Sequence, residues 1–152
     1  MHSITISSPI GPLTLVEEDG ALTRVCFGAQ THGLNESTPL LEQAARELGE
    51  YFDGSRKTFT VPLRPAGTSF QLRCWNALLE IPYGHTRTYA QQAQRIGNPK
   101  ACRAVGMANH RNPLPVFIPC HRVIGSGGKL TGYAGGLERK ATLLNIERMI
   151  CP

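Results

Sequence analysis

The sequence predicts two joined domains, a small α/β domain over residues 1–66 and a mainly helical domain over residues 67–152 that contains a helix-turn-helix. Three observations predict this division. Most strand-like segments lie within the first 63 residues, and signals for helix starts dominate the second half. Between them, residues 64–67 contain Pro65 and Gly67 and form the expected linker. A chain of 152 residues is long enough for two small domains.

The first domain is expected to contain four strands. Ile4–Leu15 alternates loosely between apolar and polar residues and is interrupted by two prolines and a glycine, which indicates two strands joined by a turn. Ala21–Phe27 is predicted as a third strand, after the turn at Asp19 and Gly20. Phe59–Leu63 is predicted as the last strand.

One helix is expected in the same domain. Thr38 and Pro39 have the residue types of an N-cap and a first helical position, and Gly54 is expected to end the helix. An apolar stripe is predicted to face the core, formed by Leu41, Ala45, Leu48 and Phe52. Nothing in this domain has a catalytic pattern.

Two threonine–glutamine pairs in the second domain have the spacing of a capping box. Thr68, with Gln71, predicts a helix over about Phe70–Leu79. Thr88, with Gln91, predicts a short helix that ends at Gly97.

Asn98 and Pro99 are expected to cap a third helix directly. Two short helices separated by a tight turn suggest a helix-turn-helix, although ordinary helical hairpins share this pattern. The residues predicted to face the core are Ala101, Ala104, Val105 and Ala108, and those outward or flanking are Cys102, Arg103, Gly106 and Asn109. A face this small would let the helix approach another surface closely, with tight helix–helix packing as the alternative.

Charge is distributed unequally between the two halves. Residues 1–66 carry five basic and eight acidic groups, a net charge of −3, whereas residues 67–152 carry eleven basic and three acidic groups, a net charge of +8. The positive half would attract a polyanion such as nucleic acid. Many small basic proteins bind no nucleic acid, so charge alone leaves both interpretations open.

Composition excludes several classes of protein. A hydrophobic fraction of 41% and a charged fraction of 18% are typical of a globular chain, and no apolar run approaches the ~20 residues needed to span a bilayer. The N-terminus lacks a signal-peptide pattern, so we expect a cytoplasmic protein with no membrane partner. Five cysteines without a CxxC pair argue against a disulfide framework and a zinc ribbon. His2, Cys26 and His32 lack a convincing fourth ligand, and we expect neither metal nor cofactor.

Cys120 is the candidate nucleophile. The apolar run Val116–Ile118 is predicted as a buried, strand-like segment that delivers Cys120, His121 and Arg122 at its end. A thiol reacts as the thiolate, which a nearby histidine or cation favours. Neighbours on a strand point to opposite faces, so a direct Cys120–His121 hydrogen bond would need a turn or a bridging water. A Cys-His pair by itself is weak support for catalysis.

Four segments of the second half share residues and spacing with one known family. They are Ile81–Ala90, Gly97–Gly106, Asn112–Gly125 and Gly132–Leu137. Together they closely resemble the O6-alkylguanine-DNA alkyltransferases, in a match that covers about Thr68–Glu147 and extends only loosely to the first domain. The resemblance implies a ribonuclease-H-like first domain and a winged helix-turn-helix second domain.

The resemblance also implies a function. Members of this family repair DNA by direct reversal, moving the alkyl group of O6-alkylguanine, and in some cases O4-alkylthymine, irreversibly to a cysteine. The partner would be double-stranded DNA, bound through its minor groove by a monomer, with the damaged base flipped out of the helix.

Four residues match the catalytic positions of the family. Cys120 resembles the alkyl acceptor, and His121 resembles a base linked to it through water. Glu147 would orient His121, and Tyr89 would donate a hydrogen bond to N3 of the departing guanine. On this interpretation the Cys120 thiol is expected to be held ionised at the floor of a pocket for the extruded base.

Five further residues match substrate-binding positions. Asn112 resembles a hinge between the recognition helix and the active-site segment, and Pro115 would shape the pocket wall. The carbonyl of Val123 would accept from the 2-amino group, Tyr133 would wall the pocket, and the N–H of Ala134 would meet the 6-oxygen. Because position 134 is alanine, a hydroxyl contact found there in some relatives is absent.

The remaining matches concern DNA. Arg103 resembles the arginine finger that fills the gap left by the flipped base, and Ala101, Cys102 and Gly106 would lie along the minor groove. Simpler interpretations exist for several positions. Tyr89 could be a core aromatic residue, Glu147 a surface partner of a lysine or arginine, and Asn112 a turn residue; Arg122 is interpreted as part of a structural ion pair. Two other functions stay open: a DNA-binding regulator without catalysis, and a Cys–His hydrolase.

Overall fold

The computed structural model describes residues 1–150, with the side chains of residues 1–148. Cys151, one of the five cysteines, lies outside the described residues. The chain divides into two compact units, Met1–Ala66 and a second unit from Gly67 onward. The first unit contains a sheet and a helix, and the second is mainly helical, as the sequence predicts.

The sheet of the first unit has three antiparallel strands in the order β1 (His2–Ile6), β2 (Leu13–Glu18) and β3 (Ala21–Phe27). These strands confirm the sequence prediction. Asp19 and Gly20 join β2 to β3 with φ angles of 50° and 80°. Such a two-residue turn favours an Asp-Gly pair because both positions need positive φ.

The predicted strand over Phe59–Leu63 is wrong. Only an isolated bridge between Leu22 and Leu63 forms there. The carboxylate of Glu47 accepts the backbone N–H groups of Thr60 and Val61 at 2.8 and 3.1 Å, and Pro62 has no N–H to donate. A side chain therefore provides the hydrogen bonds that a neighbouring strand would have provided.

Helix α1 (Pro39–Phe52) begins where predicted, with the Thr38 hydroxyl accepting from the Leu41 N–H at 3.1 Å. Its buried face differs from the predicted stripe, because Ala45 and Phe52 are half-buried. The fully buried residues are Leu41, Ala44, Glu47, Leu48 and Tyr51. The helix thus turns Glu47 inward, where its carboxylate holds residues 60–61.

The second unit contains four helices, two short strands and two 3₁₀ turns among the described residues. In chain order these are α2 (Ser69–Leu79), β4 (Arg87–Thr88), α3 (Tyr89–Arg95), α4 (Cys102–His110), a 3₁₀ turn (Cys120–Arg122), β5 (Val123–Ile124), a second 3₁₀ turn (Ser126–Gly128) and α5 (Leu137–Ile150). Strands β4 and β5 pair in parallel. Both predicted capping boxes are present, at Thr68 and at Thr88.

Helix α4 starts later than predicted and has a different buried face. Its N-cap is Ala101, whose methyl side chain cannot make a capping bond, because residues 98–101 form a turn in which the Asn98 carbonyl accepts from the Ala101 N–H. Val105 and Ala108 are buried as expected. Ala104 is exposed and Asn109 is buried, so both of those predictions are wrong.

Two contacts from other helices set the buried face of α4. The indole N–H of Trp75 donates to the carbonyl of Ala108 at 2.9 Å, and Gln92 and Asn109 exchange two amide hydrogen bonds. Polar pairing, rather than apolar periodicity, therefore decides which residue turns inward at the end of this helix.

Among the helices of the described chain, none has both the length and the apolar character required to cross a membrane.

Candidate active site

Cys120 follows a tight turn, not the predicted strand. The N–H of Ile118 donates to the carbonyl of Leu114 at 2.8 Å, and Val116 has a φ of 73°. Positive φ is unusual for a β-branched residue, so the surrounding contacts must hold this turn in place. Cys120 and His121 then lie on a 3₁₀ turn. The expectation of opposite faces, which assumed a strand, does not apply.

Asn112 links this turn to the thiol. Its Nδ2 donates to the carbonyl of Ile118 at 2.8 Å and to the Sγ of Cys120 at 3.2 Å. Its Oδ1 accepts from the N–H of Leu114 at 2.9 Å. One carboxamide therefore fixes both ends of the turn and contacts the sulfur directly.

Cys120 is 6% exposed and lies beside a small cavity of about 40 Å³. The other lining residues are Tyr89, Gly106, Asn109, His110, Gly132 and Tyr133. The thiol is thus shielded from bulk solvent but has space next to it. A ligand that reaches Cys120 would touch α3, α4 and the loop before α5.

A buried charged cluster lies next to the thiol in the chain. Glu147 is 1% exposed and binds His121 Nε2 at 2.6 Å. Arg122 donates to the two oxygens of Glu147 at 2.9 and 3.1 Å and to the carbonyl of Ile81 at 2.7 Å. The surface role considered for Glu147 is therefore wrong, and the structural ion pair predicted for Arg122 is present.

The cluster sets the protonation of His121. Burial by itself would raise the pKa of Glu147, but hydrogen bonds and charges from His121 and Arg122 lower that pKa to about 2. Burial lowers the pKa of His121, and Glu147 opposes this shift only in part. A neutral imidazole bound to a carboxylate through Nε2 carries its proton there, so Nδ1 is the basic nitrogen.

The Cys120 thiol is not held ionised, contrary to the expectation from the sequence. Burial raises the pKa of Cys120 to about 11, although Asn112 and the Lys140 ammonium act in the opposite direction. The resting sulfur is therefore a neutral thiol at pH 7. Proximity to basic residues in the sequence did not predict this, because the cost of burying an anion is larger than their combined effect.

Tyr89 and Lys140 meet at the loop that covers the cavity. The Tyr89 hydroxyl donates to the carbonyl of Thr131 at 2.9 Å. The buried Lys140 ammonium donates to the carbonyls of Thr131 and Gly132 at 2.8 and 3.1 Å and lies 5.9 Å from the centre of the Tyr89 ring. Burial lowers the pKa of Lys140 to about 8, with Cys120 acting in the opposite direction.

The other predicted substrate-binding residues differ in whether they line the cavity beside Cys120. Tyr133 is buried and lines the cavity. Pro115 and Val123 are buried, and Ala134 is exposed, but within the described chain none of these three lines that cavity.

The predicted DNA-binding residues lie along α4 and its start. Arg103 is exposed, whereas Ala101, Cys102 and Gly106 are half-buried, and Gly106 reaches the cavity. A Cβ on Gly106 would meet only the Tyr89 ring, at 3.8 Å, which is ordinary contact. The protein's own packing therefore does not require glycine at this position.

Three cavity residues and Lys140 were missed as site residues. Asn109 and His110 lie on the last turn of α4, and Gly132 lies in the covering loop. Helical periodicity assigned Asn109 to the outward or flanking set, and the family motif offered no role for Lys140. Asn109 is recognised as a site residue only through its contact with Gln92 in the fold, and Lys140 only through its contact with the Thr131 carbonyl.

No group of three or more candidate metal ligands is present in the part of the chain that the structure describes. Cys26 and His32 approach each other, with 3.5 Å between Sγ and Nε2, and His2 lies 3.9 Å from Glu17.

Comparisons with known proteins cover the whole length of the chain. The family profile described as the DNA-binding domain of 6-O-methylguanine DNA methyltransferase matches residues 69–149, and that of its ribonuclease-like domain matches residues 1–65. These two matches confirm the predicted fold class.

Individual relatives agree with these profiles. The chain is 49% identical to a methylated-DNA–protein-cysteine methyltransferase of Methanosarcina acetivorans, over 97% of this chain and 98% of the relative. It is 48% identical to the constitutive enzyme of that name from Bacillus subtilis, over 95% and 94%. A crystal structure of Mycobacterium tuberculosis OGT in complex with DNA is 47% identical, with a TM-score of 0.92 over 100% of this chain and 96% of the relative. An O6-methylguanine DNA methyltransferase from Methanococcus jannaschii is 27% identical, with a TM-score of 0.72 over 95% and 93%.

The two halves of the sequence thus each match one of the two domain profiles, and nearly half of the residues are identical in relatives that the chain covers almost completely. The chain belongs to the 6-O-methylguanine DNA methyltransferase family, the methylated-DNA–protein-cysteine methyltransferases.

Proposed function

We propose that this chain repairs DNA by moving the alkyl group from the 6-oxygen of guanine to the Sγ of Cys120. The family activity is transfer from methylated DNA to a protein cysteine. The observation that carries the assignment to Cys120 is its position: a buried thiol beside a cavity, in contact with the Asn112 amide and followed by a histidine bound to a buried glutamate.

The reaction consumes the thiol once. The Cys120 proton passes to Nδ1 of His121 through a bridging water, and the thiolate attacks the alkyl carbon. The S–C bond forms as the bond from carbon to O6 breaks, and the electron pair goes to guanine, which finally gains the proton. Glu147 orients His121 and stabilises it while it carries that proton. No step regenerates the thiol, so each chain acts once.

Because the resting thiol is neutral, we propose that His121 accepts its proton. Because burial raises the pKa of Cys120 to about 11, the thiol is almost entirely protonated at pH 7 and needs a base to accept its proton during the transfer. A neutral imidazole beside a carboxylate is suited to accept that proton. The thiol of the free protein should therefore react only slowly at pH 7.

Recognition of the base is proposed to follow the family pattern. Tyr89 would donate to N3 of guanine, Val123 would accept from its 2-amino group, and the Ala134 N–H would meet O6. Tyr133 lines the cavity and would pack against the base, while Asn112 ties the thiol to its turn.

Access to the base is proposed to require flipping it out of double-stranded DNA. Arg103, exposed on α4, would fill the gap in the duplex. Ala101, Cys102 and Gly106 would lie along the minor groove, where small residues permit close approach. The protein would act as a monomer in the cytoplasm, and Pro115 would shape the pocket through the turn that it helps to form.

A duplex that contains one O6-methylguanine tests the assignment. After incubation, mass spectrometry should find one added methyl group on the peptide that contains Cys120, with an equal amount of lesion lost. Cys120→Ser should abolish both changes, and Cys26→Ser, which changes a half-buried free cysteine of the first unit, is the matched control that should react normally. An unmodified Cys120 with intact lesions would refute the assignment.

The same experiment separates the two other functions considered for the sequence. A regulator without catalysis would bind DNA with no change in the mass of Cys120. A Cys–His hydrolase would turn over many substrate molecules per chain, whereas the transfer stops at one.

A further inference from the structure

Asn109 forms part of the cavity wall beside Cys120. It lies on the last turn of α4, and its side chain is only 5% exposed. A polar side chain in such a place needs hydrogen-bond partners. Its partners indicate what it can offer to a ligand.

Gln92 fixes the orientation of the Asn109 carboxamide. The Nε2 of Gln92 donates to the carbonyl of Cys74 at 3.2 Å, so this end of the Gln92 amide must be the nitrogen. The same nitrogen donates to Asn109 Oδ1 at 2.9 Å, and Asn109 Nδ2 donates to Gln92 Oε1 at 2.7 Å. The backbone carbonyl of Cys74 thus determines, through Gln92, which way the Asn109 amide points.

The pairing leaves Asn109 with hydrogen-bonding capacity to spare. A carboxamide has two N–H donors and two acceptor positions, and Gln92 engages one of each. Within the described residues, the Asn109 side chain makes no other hydrogen bond. Its second N–H therefore needs an acceptor from whatever fills the cavity.

The proposed substrate carries suitable acceptors. Alkylation at O6 removes the proton from N1 of guanine, so that N1, N3 and N7 are all lone-pair acceptors. Tyr89 accounts for N3 in the proposed function. N1 and N7 remain available.

We infer that Asn109 is a base-recognition residue, which donates its second N–H to N1 or N7 of the extruded purine. Gln92 is then a positioning residue, because it acts on the base only through Asn109. This inference rests on the proposed function and deepens it, since it adds a donor on α4 to the contacts that select an alkylated purine.

Free-base substrates with a single ring nitrogen replaced by CH test the contact. The second-order rate constant for alkylation of Cys120 is measured with O6-benzylguanine and with its 1-deaza and 7-deaza analogues. For the wild-type protein, one analogue should react more slowly than the parent. For Asn109→Leu that difference should shrink by about tenfold, because the hydrogen bond is already absent. Intrinsic differences in reactivity cancel, since each protein serves as its own reference. Equal discrimination by both proteins would overturn the inference.

Three further variants separate a contact from a folding effect. Gln92→Leu with Asn109→Leu removes both amides together, which leaves no unpaired buried group, and should lose the same discrimination. Gln92→Leu alone should weaken discrimination although Asn109 is present, and full discrimination in that variant would refute the positioning role. Met107→Leu, on the exposed side of the same helix, is the matched control and should behave as wild type.

Failure of this inference differs from failure of the proposed function. If Cys120 is alkylated normally but Asn109→Leu discriminates as wild type does, only the role of Asn109 falls. If wild-type Cys120 is not alkylated by any of these substrates or by damaged duplex, the proposed function falls as well.

Discussion

Burial raises the pKa of the Cys120 thiol and the neighbouring Asn112 and Lys140 lower it, and the effect of burial is the larger. Asn112 donates to the sulfur and Lys140 contributes positive charge, yet the pKa of the thiol is raised to about 11. A cysteine in this state resists general electrophiles at neutral pH. Selectivity for the proper substrate then depends on proton removal within the filled pocket.

The reactivity of Cys120 in the free protein should reveal this state. We expect its alkylation by iodoacetamide, followed by mass spectrometry of the Cys120 peptide, to be slow at pH 7. The rate should rise about tenfold per pH unit up to pH 10, because it follows the thiolate fraction below the pKa. The denatured protein should instead level off near the ordinary thiol pKa. A plateau below pH 9 in the folded protein would contradict the neutral thiol.

Replacing Glu147 with glutamine should lower stability as well as activity. The change leaves Arg122 as a buried charge without its carboxylate, which typically costs about 3–5 kcal/mol in the free energy of unfolding. Chemical denaturation at pH 7 measures this loss. Because the pKa of Glu147 is about 2, its contribution in the wild type is present above pH 4.5 and is lost as the pH falls toward 2.

The variant should therefore lose part of that acid dependence. Glu47 has a pKa of about 2 as well, since hydrogen bonds from Thr60, Gln43 and the 60–61 backbone outweigh its burial, so some acid dependence should persist. Equal stability of the Glu147→Gln variant and the wild type at pH 7 would argue against the buried ion pair.

The sequence predicted which residues form the candidate site better than it predicted their protonation. Cys120, His121 and Glu147 could be named from the family resemblance, and Arg122 as part of an ion pair. The protonation of the thiol could not, because burial depends on α4, α5 and the loop at Gly132. Asn109 escaped notice for a similar reason, since its partner Gln92 lies on a different helix.

At the level of elements, a substitution of the glycine within α4 should affect stability and repair in opposite directions. Glycine in a helix interior costs about 0.5–1 kcal/mol relative to alanine, and a Cβ at Gly106 would have ordinary contact with Tyr89. We expect Gly106→Ala to keep or raise the melting temperature while it slows repair of a damaged duplex. The reason is that the added methyl group enters the cavity and the face proposed to approach DNA. Unchanged repair by this variant would show that close approach is not needed.

The exposed arginine of the same helix should affect duplex DNA selectively. We expect Arg103→Ala to slow repair of O6-methylguanine in duplex DNA more than it slows reaction with free O6-benzylguanine, because a free base needs no flipping. Single-turnover rates on the two substrates give the comparison. Equal losses on both would count against a finger role for Arg103.

Elements set by local signals were predicted well, and elements set by distant partners were not. The capping boxes at Thr68 and Thr88 involve residues three positions apart, and both are present. The segment Phe59–Leu63 failed as a strand because the carboxylate of Glu47, more than ten positions away, takes its N–H groups. The turn at Val116 failed as a strand because an apolar run has the same composition in either form.

On the scale of the whole chain, the distribution of strand and helix signals predicted two units, and charge is divided unequally between them. Residues 1–66 carry the negative excess and residues 67–152 the positive excess, and the helical unit contains the cavity. A polyanionic partner would therefore be drawn to the unit that performs the chemistry, with an affinity that falls as salt rises.

Alkylation should make the whole protein less stable. Cys120 is 6% exposed and its Sγ lies 3.2 Å from Asn112 Nδ2, so we expect an added methyl group to crowd this contact in spite of the small cavity beside it, typically at a cost of about 1–3 kcal/mol. We expect the methylated protein to melt several degrees below the unmodified protein in a thermal scan. Protein incubated with an undamaged duplex is the control. A higher melting temperature after methylation would contradict this expectation.

The hydrogen bond from the Tyr89 hydroxyl to the Thr131 carbonyl affects how much free energy the protein can gain when it binds a base. On the proposal that Tyr89 donates to the base, its hydroxyl must first leave the Thr131 carbonyl, so the net gain is the difference between two hydrogen bonds. The Lys140 ammonium also donates to the Thr131 carbonyl, so this oxygen would keep a hydrogen-bond partner after the Tyr89 hydroxyl turned to the base. On this proposal the exchange of hydrogen bonds would add little to the affinity for the base, and the repaired base could leave without a large loss of hydrogen bonding.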